Sequence, residues 1–161
     1  MGAREEVLRV LDELGIGYEL TEHEPVFTMA AAARLDVPRP EATAKTLFVR
    51  DKKKRSYWLL VVPHDGRVDL AEVADQLGSG RLSLASPADL ARMLGVSPGQ
   101  VGPFAALNDA AGRVVVCLDE SFEGGSIATH PNDNTATVTL STVGLRRFLA
   151  AIDHPARALR V

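Results

Sequence analysis

Pro98, Gly99, Gly102 and Pro103 place two prolines and two glycines within residues 98–103, and the apolar run 104–107 and Asn108-Asp109 follow. Glycine reaches backbone angles that other residues avoid and lets another chain or a ligand come close. Proline fixes its own φ and biases the preceding residue away from helix. The segment is therefore a shaped loop with exposed backbone amides. Successive N–H groups in such a loop converge on one point and bind an oxygen anion. A plain connection from helix to strand uses the same residue types, so the loop alone does not decide between the two.

The surrounding pattern alternates helix and strand. Val7, Leu8, Leu11 and Leu14 have helical spacing, and Gly15 and Gly17 end that helix. Tyr18 to Leu20 reads as a short strand. Thr28 caps a second helix through Ala30–Ala33 to Leu35, stopped before Pro38. Lys45–Arg50 and Tyr57–Val62 form a hairpin around a charged tip. Asp69 caps a helix containing Val73 and Leu77, and Leu82–Leu84 is a small strand. Ser86-Pro87 starts a helix to Leu94, with proline at its favoured first position. Arg113–Leu118 and Ala136–Leu140 are strands, the first of them the most buried-looking. Ser141 caps a last helix that buries Val143, Leu145, Phe148 and Leu149. The tail beyond Asp153 is expected to be loose. Without a strict βαβ repeat, this predicts an α/β chain of mixed α+β type, one mixed sheet with helices packed around it. No linker or repeat divides residues 1–161, so one domain is expected.

Composition narrows the function. The chain has 161 residues, 46% hydrophobic and 24% charged, the balance of a soluble globular protein. No apolar run approaches the roughly 20 residues of a membrane span, and the N-terminal residues lack the core of a signal peptide. The protein is expected in the cytoplasm. A net charge of −3 excludes a generally basic nucleic-acid binder, so a nucleic-acid partner requires local positive charge. Lys52, Lys53, Lys54 and Arg55 offer one patch; Arg146, Arg147, Arg157 and Arg160 offer a second. The first patch is equally well a solvated hairpin tip. Cys117, the single cysteine, lies in an apolar strand pattern and reads as a buried, inert thiol. Four scattered histidines without ligand spacing point to no metal, and no cofactor is expected.

Three segments taken together carry a resemblance: Lys45 with its hairpin to Val62, the pattern Gly99-x-x-x-Pro103, and Ile127-Ala-Thr-His130-Pro131 running on to Ser141. They resemble the YbaK/ProX family of aminoacyl-tRNA deacylases, relatives of the editing domain inserted in bacterial prolyl-tRNA synthetases. The resemblance runs from the first helix to Phe148 and is greatest to the free-standing ProX branch, which clears alanine from proline tRNA. It implies that family's fold, a partly barrel-like mixed sheet. It places Lys45 at the family's pocket lysine, Gly99, Gly102 and Pro103 in its glycine-to-proline loop, and His130 at its histidine before proline. It also implies the acceptor end of proline tRNA as partner, with prolyl-tRNA synthetase as a second.

An aminoacyl ester is already activated, so its hydrolysis needs a placed water and stabilisation of the developing oxyanion. The chain has no Gly-x-Ser-x-Gly elbow and no serine or cysteine with an evident base. That favours a water mechanism in which the amides from Gly99 to Gly102 hold the carbonyl. The resemblance adds that a ribose hydroxyl of the substrate helps activate the water. Lys45 pairs with the phosphate or ribose of the terminal adenosine, or else is a strand-end lysine reaching water. His130 donates to substrate or acts as acid or base near neutral pH, or else is satisfied by its own loop. Asn108-Asp109 makes a turn, with Asp109 bracing the substrate pocket indirectly. Thr135 and Thr137 look like sheet residues. Val26, Phe27, Met29 and Leu47 are the expected walls of a pocket that admits alanine and excludes proline. The alternatives are a deacylase of cysteine, serine or threonine esters, and a non-catalytic tRNA-binding or proline-reductase accessory module.

Overall fold

A computed structural model describes residues 2–25 and 40–161. The predicted helix at residues 28–35 lies outside them, as do Val26, Phe27 and Met29. Helix α1 (Ala3–Glu13) leads to β1 (Glu19–Glu22). Strands β2 (Ala44–Asp51) and β3 (Tyr57–Pro63) form the predicted hairpin. Helix α2 (Leu70–Leu77), β4 (Leu82–Leu84) and α3 (Pro87–Leu94) follow. Two 3₁₀ segments, Pro98–Gln100 and Pro103–Asn108, lead into β5 (Val114–Asp119). Then come β6 (Ser126–Thr129), β7 (Ala136–Ser141), α4 (Thr142–Ala151) and β8 (Arg157–Leu159).

The helix starts follow from side-chain oxygens placed to accept the free N–H groups of a first turn. Asp69 accepts from Ala71 N–H, Ser86 and Asp89 form a reciprocal capping box, and Ser141 accepts from Gly144 N–H. Gly78 and Gly95 end α2 and α3 in the left-handed conformation.

The mixed α/β class holds, but the strands divide between two sheets where one was expected. The larger has the order β4-β2-β3-β5-β8, with β3-β5 and β5-β8 parallel; the smaller is the antiparallel set β1-β7-β6. They touch at an isolated parallel bridge, Thr43 to Ala128. A single bridge does not continue a ladder, so the sheets meet at a seam, and the described residues form no closed barrel. Strand β3 explains the larger sheet. Tyr57, Leu59 and Val61 face one apolar cluster; Trp58, Leu60 and Val62 face the other. An uninterrupted apolar strand of this kind requires cover on both faces, supplied by α1, α3 and α4 on one side and α2 on the other. Strand β3 thus takes the most buried place, which the sequence reading gave to β5, where Val115 is exposed.

Two further expectations are corrected. Val143 is 63% exposed, because α4 turns Thr142, Leu145, Phe148 and Leu149 inward instead. The tail is ordered: β8 pairs with β5 and buries Leu159, and His154 is buried against Asp109. Among the described residues no helix is long and apolar enough to cross a membrane.

Candidate functional site

The seam between the sheets gathers the predicted residues. Lys45 and His130 each stand two residues beyond the Thr43–Ala128 bridge. Because strand side chains alternate with a period of two, Lys45 shares the face of Thr43, while His130 lies just past the end of β6. Lys45 Nζ donates to the Gly66 carbonyl at 2.6 Å. An ammonium carries three protons, so this contact steadies the side chain and leaves two donors for a ligand.

His130 follows β6 and is half satisfied by its own loop. Its Nδ1 lies 2.8 Å from the Ala136 carbonyl. A carbonyl only accepts, so the proton is assigned to Nδ1 and Nε2 of the neutral ring presents a lone pair. Burial holds the imidazole below the ordinary histidine value; the Ala136 bond opposes this, and nearby His23 adds to it. His23 was not singled out from sequence. Its ring centroid is 5.9 Å from that of His130, and its Nε2 meets Thr137 Oγ1 at 2.8 Å. The link crosses 114 positions of chain, so no local pattern announced it. Thr137 and Thr139 line the same buried side of β7, and Thr139 Oγ1 has no hydrogen-bond partner among the described residues. Thr137 is thus a sheet residue, as expected, that also reaches the site. Thr135 precedes β7 and binds Asp133 and Arg4, tying this loop to α1.

The glycine-proline loop meets His130 directly. A Cβ on Gly102 would lie 2.9 Å from Thr129 Oγ1 and 3.0 Å from the His130 carbonyl oxygen. Gly102 has φ −160°, extended backbone open to any residue. Glycine is required here for close approach, not for an unusual angle, and Gly99 likewise has no positive φ. Pro103 occupies the first position of its 3₁₀ segment. Among the described residues outside helices and strands, no backbone hydrogen bond uses the Gly102 N–H, which leaves it as a donor.

Other predicted residues fall elsewhere. Asp109 faces inward: it accepts from Val114 N–H at 2.8 Å and meets His154 Nε2 at 2.9 Å. It is a buried pin between the 3₁₀ segment, β5 and the tail, so any bracing of the substrate pocket by Asp109 is indirect. Leu47 shares the Lys45 face of β2 but packs on the α2 side. Lys52, Lys53, Lys54 and Arg55 are exposed at the hairpin tip, about 20 Å along β2 from Lys45. The tip is shaped by Asp51, whose carboxylate accepts from Arg55 and Ser56 N–H. The second basic patch is largely committed within the fold. Arg146 pairs with Glu123, Arg160 with Glu120, and Arg147 and Arg157 donate to backbone carbonyls. Cys117 is fully buried, and burial pushes its thiol up to about 11. It is therefore neither exposed nor a thiolate near neutral pH.

Fold and seam together give a small α/β protein with a lysine, a partly satisfied histidine and the glycine-proline loop beside the junction of its two sheets. Known proteins place it further. The aminoacyl-tRNA editing domain family matches residues 23–148. Prolyl-tRNA editing protein ProX of Acetoanaerobium sticklandii is 39% identical over 162 residues, covering 100% of this chain and 99% of that protein. Prolyl-tRNA synthetase associated domain-containing protein 1 of Bos taurus is 38% identical, covering 89% of this chain and 86% of its own length. A crystal structure described as a candidate trans-editing enzyme for prolyl tRNA synthetase superposes with TM-score 0.72 at 20% identity, over 100% of this chain and 98% of that one; it shares the fold. The chain belongs to the aminoacyl-tRNA editing domain family.

Proposed function

We propose that this chain is a trans-editing hydrolase that removes alanine from proline tRNA by attack of water on the aminoacyl ester. Hydrolysis of an aminoacyl-tRNA ester is the editing family's activity; alanine, proline tRNA and the residue roles are our reading. The reading is supported by the Thr43–Ala128 bridge, which joins the segments carrying Lys45 and His130, by the packing of Gly102 against His130, and by the buried, protonated state of Cys117, the one cysteine. The Gly102 amide of the glycine-proline loop holds the ester carbonyl as it becomes an oxyanion. Lys45 uses its remaining donors on the phosphate or ribose of the terminal adenosine. His130 offers Nε2 as acceptor to the attacking water or to the ribose hydroxyl that helps activate it. The amino-acid pocket rejects the larger proline ring by size. The tRNA acceptor end is the partner, and prolyl-tRNA synthetase is the source of the mischarged tRNA.

A second reading, hydrolysis of serine or threonine esters, is favoured by one feature. The unpartnered hydroxyl of Thr139 would reward a substrate hydroxyl, and a hydrogen-bonding pocket discriminates strongly for such a group. Incubation with proline tRNA carrying alanine, cysteine, serine, threonine or proline, followed for loss of ester, separates the readings. Fastest loss from the alanine ester supports ours. Fastest loss from serine or threonine supports the second, and no loss from any rejects both.

A further inference from the structure

We propose that Asn132 is a positioning residue that fixes the glycine-proline loop against His130. The inference rests on the deacylase reading above. Asn132 has φ +60°, the left-handed region, although it is not glycine. It is 3% exposed. Its Nδ2 donates to the Phe104 carbonyl at 3.2 Å, while its Oδ1 is buried without a partner among the described residues.

These facts set a disfavoured backbone region and an orphaned acceptor on the same residue. Left-handed backbone is unfavourable for a side chain, though asparagine tolerates it better than most. A buried carbonyl without a donor is unfavourable for any residue. Residues held this way persist where the surroundings over-determine them, and they cluster at functional sites. The location gives the strain a purpose. Asn132 stands two residues after His130, and its acceptor Phe104 two residues after Gly102. Among the described residues, this is the one hydrogen bond between segments 130–135 and 98–109.

The rest of the 103–108 segment is anchored without Asn132. The Phe104 ring packs edge-on against Phe148 at 5.0 Å, and Asn108 Nδ2 donates to the Leu94 carbonyl. Asp109 holds Val114 and His154. Those anchors secure the segment to the core but do not set its distance from His130. The Asn132 amide does, and it holds the Gly102 N–H and His130 Nε2 in one register. Misplacement of such groups by about 1 Å is worth on the order of 100-fold in rate.

The discriminating variant is Asn132→Gly. Glycine accepts the left-handed φ freely and removes the orphaned carbonyl, but it also removes the Phe104 bond and leaves a small cavity, so a purely structural Asn132 predicts a lower melting temperature with an unchanged rate in the folded variant. Positioning predicts, in the folded variant, a single-turnover rate of alanine-ester hydrolysis at least 10-fold lower with half-saturation by tRNA within about twofold. Asn132→Asp is the second variant and guards against a folding failure of the first. It keeps size and left-handed tolerance but presents no proton to the Phe104 carbonyl when ionised. It is expected to show the same rate loss. A folded Asn132→Gly or Asn132→Asp with the wild-type rate overturns the proposal while leaving the deacylase reading in place. Wild-type protein that hydrolyses none of the five esters overturns both.

Discussion

Replacing Gly102 by alanine puts a methyl group where there is no room for one. The new Cβ would stand 2.9 Å from Thr129 Oγ1 and 3.0 Å from the His130 carbonyl oxygen. An ordinary carbon–oxygen contact is about 3.3–3.6 Å, so the loop or the His130 peptide must give by about 0.3–0.6 Å. Thr129 can rotate its hydroxyl away; the His130 carbonyl is backbone and cannot. Two energies oppose each other. Alanine lowers the unfolded chain's entropy and contributes about 0.4–1 kcal/mol where its φ is allowed, as −160° is. Overpacking costs about 1–3 kcal/mol. The overpacking wins, and the expected net loss of about 1–2 kcal/mol leaves a typical domain folded. The chemical step suffers more, because the displaced loop carries the proposed oxyanion donor. Loss of one such donor lowers the rate about 100- to 1000-fold. The assay is single-turnover hydrolysis by variants shown to be folded, with Cys117→Ser beside Gly102→Ala. Cys117→Ser buries a hydroxyl and loses about 1–3 kcal/mol of stability with its rate intact. Wild-type rate in folded Gly102→Ala, or a chemical step abolished by Cys117→Ser, refutes the reasoning.

Lys45→Ala removes a charge-assisted contact worth about 1.5–3 kcal/mol, and single-turnover hydrolysis should fall roughly 10- to 150-fold with the melting curve little changed; near-normal turnover would remove Lys45 from the chemistry. Alanine at Lys52, Lys53, Lys54 and Arg55 together should weaken tRNA binding and flatten its shallow log–log salt dependence, whereas unchanged affinity and slope assign the tip to solvation. His130, held neutral by burial, should keep the pH–rate profile flat as pH falls past the ordinary histidine value of 6.5, with the acid limb below it. An acid limb centred above 6.5 contradicts this. The same depressed value means that the unfolded chain takes up the proton first, so His130's contribution to stability is present above 6.5 and is lost as pH falls through its folded value.

What the sequence made legible was local. Asp69, Ser86-Pro87 and Ser141 announce helix starts because each satisfies a first turn by itself, and Lys45–Val62 announces a hairpin because both strands flank one charged turn. Strand β6 was not anticipated: four residues between a Gly-Gly pair and His130-Pro131 carry too little periodicity. Strand β8 is three residues long and forms only because β5 offers it an open edge. At the candidate site, residue type left Lys45, the glycine-proline loop and His130 open between structural and functional roles, and the family resemblance singled them out. The site was not legible at His23 or Asn132, whose partners Thr137 and Phe104 are distant in the chain. Gly102 was noticed for its conformational freedom, but only the packing of Thr129 and His130 shows that the missing side chain is what matters.

The central claim is that the site hydrolyses the wrong ester and spares the right one. Single-turnover rates on one preparation of proline tRNA, charged in parallel with alanine and with proline, test it most directly. The account predicts rapid loss of alanine, with proline lost no faster than in buffer. Proline released as fast as alanine, or neither released above the buffer rate, would contradict it.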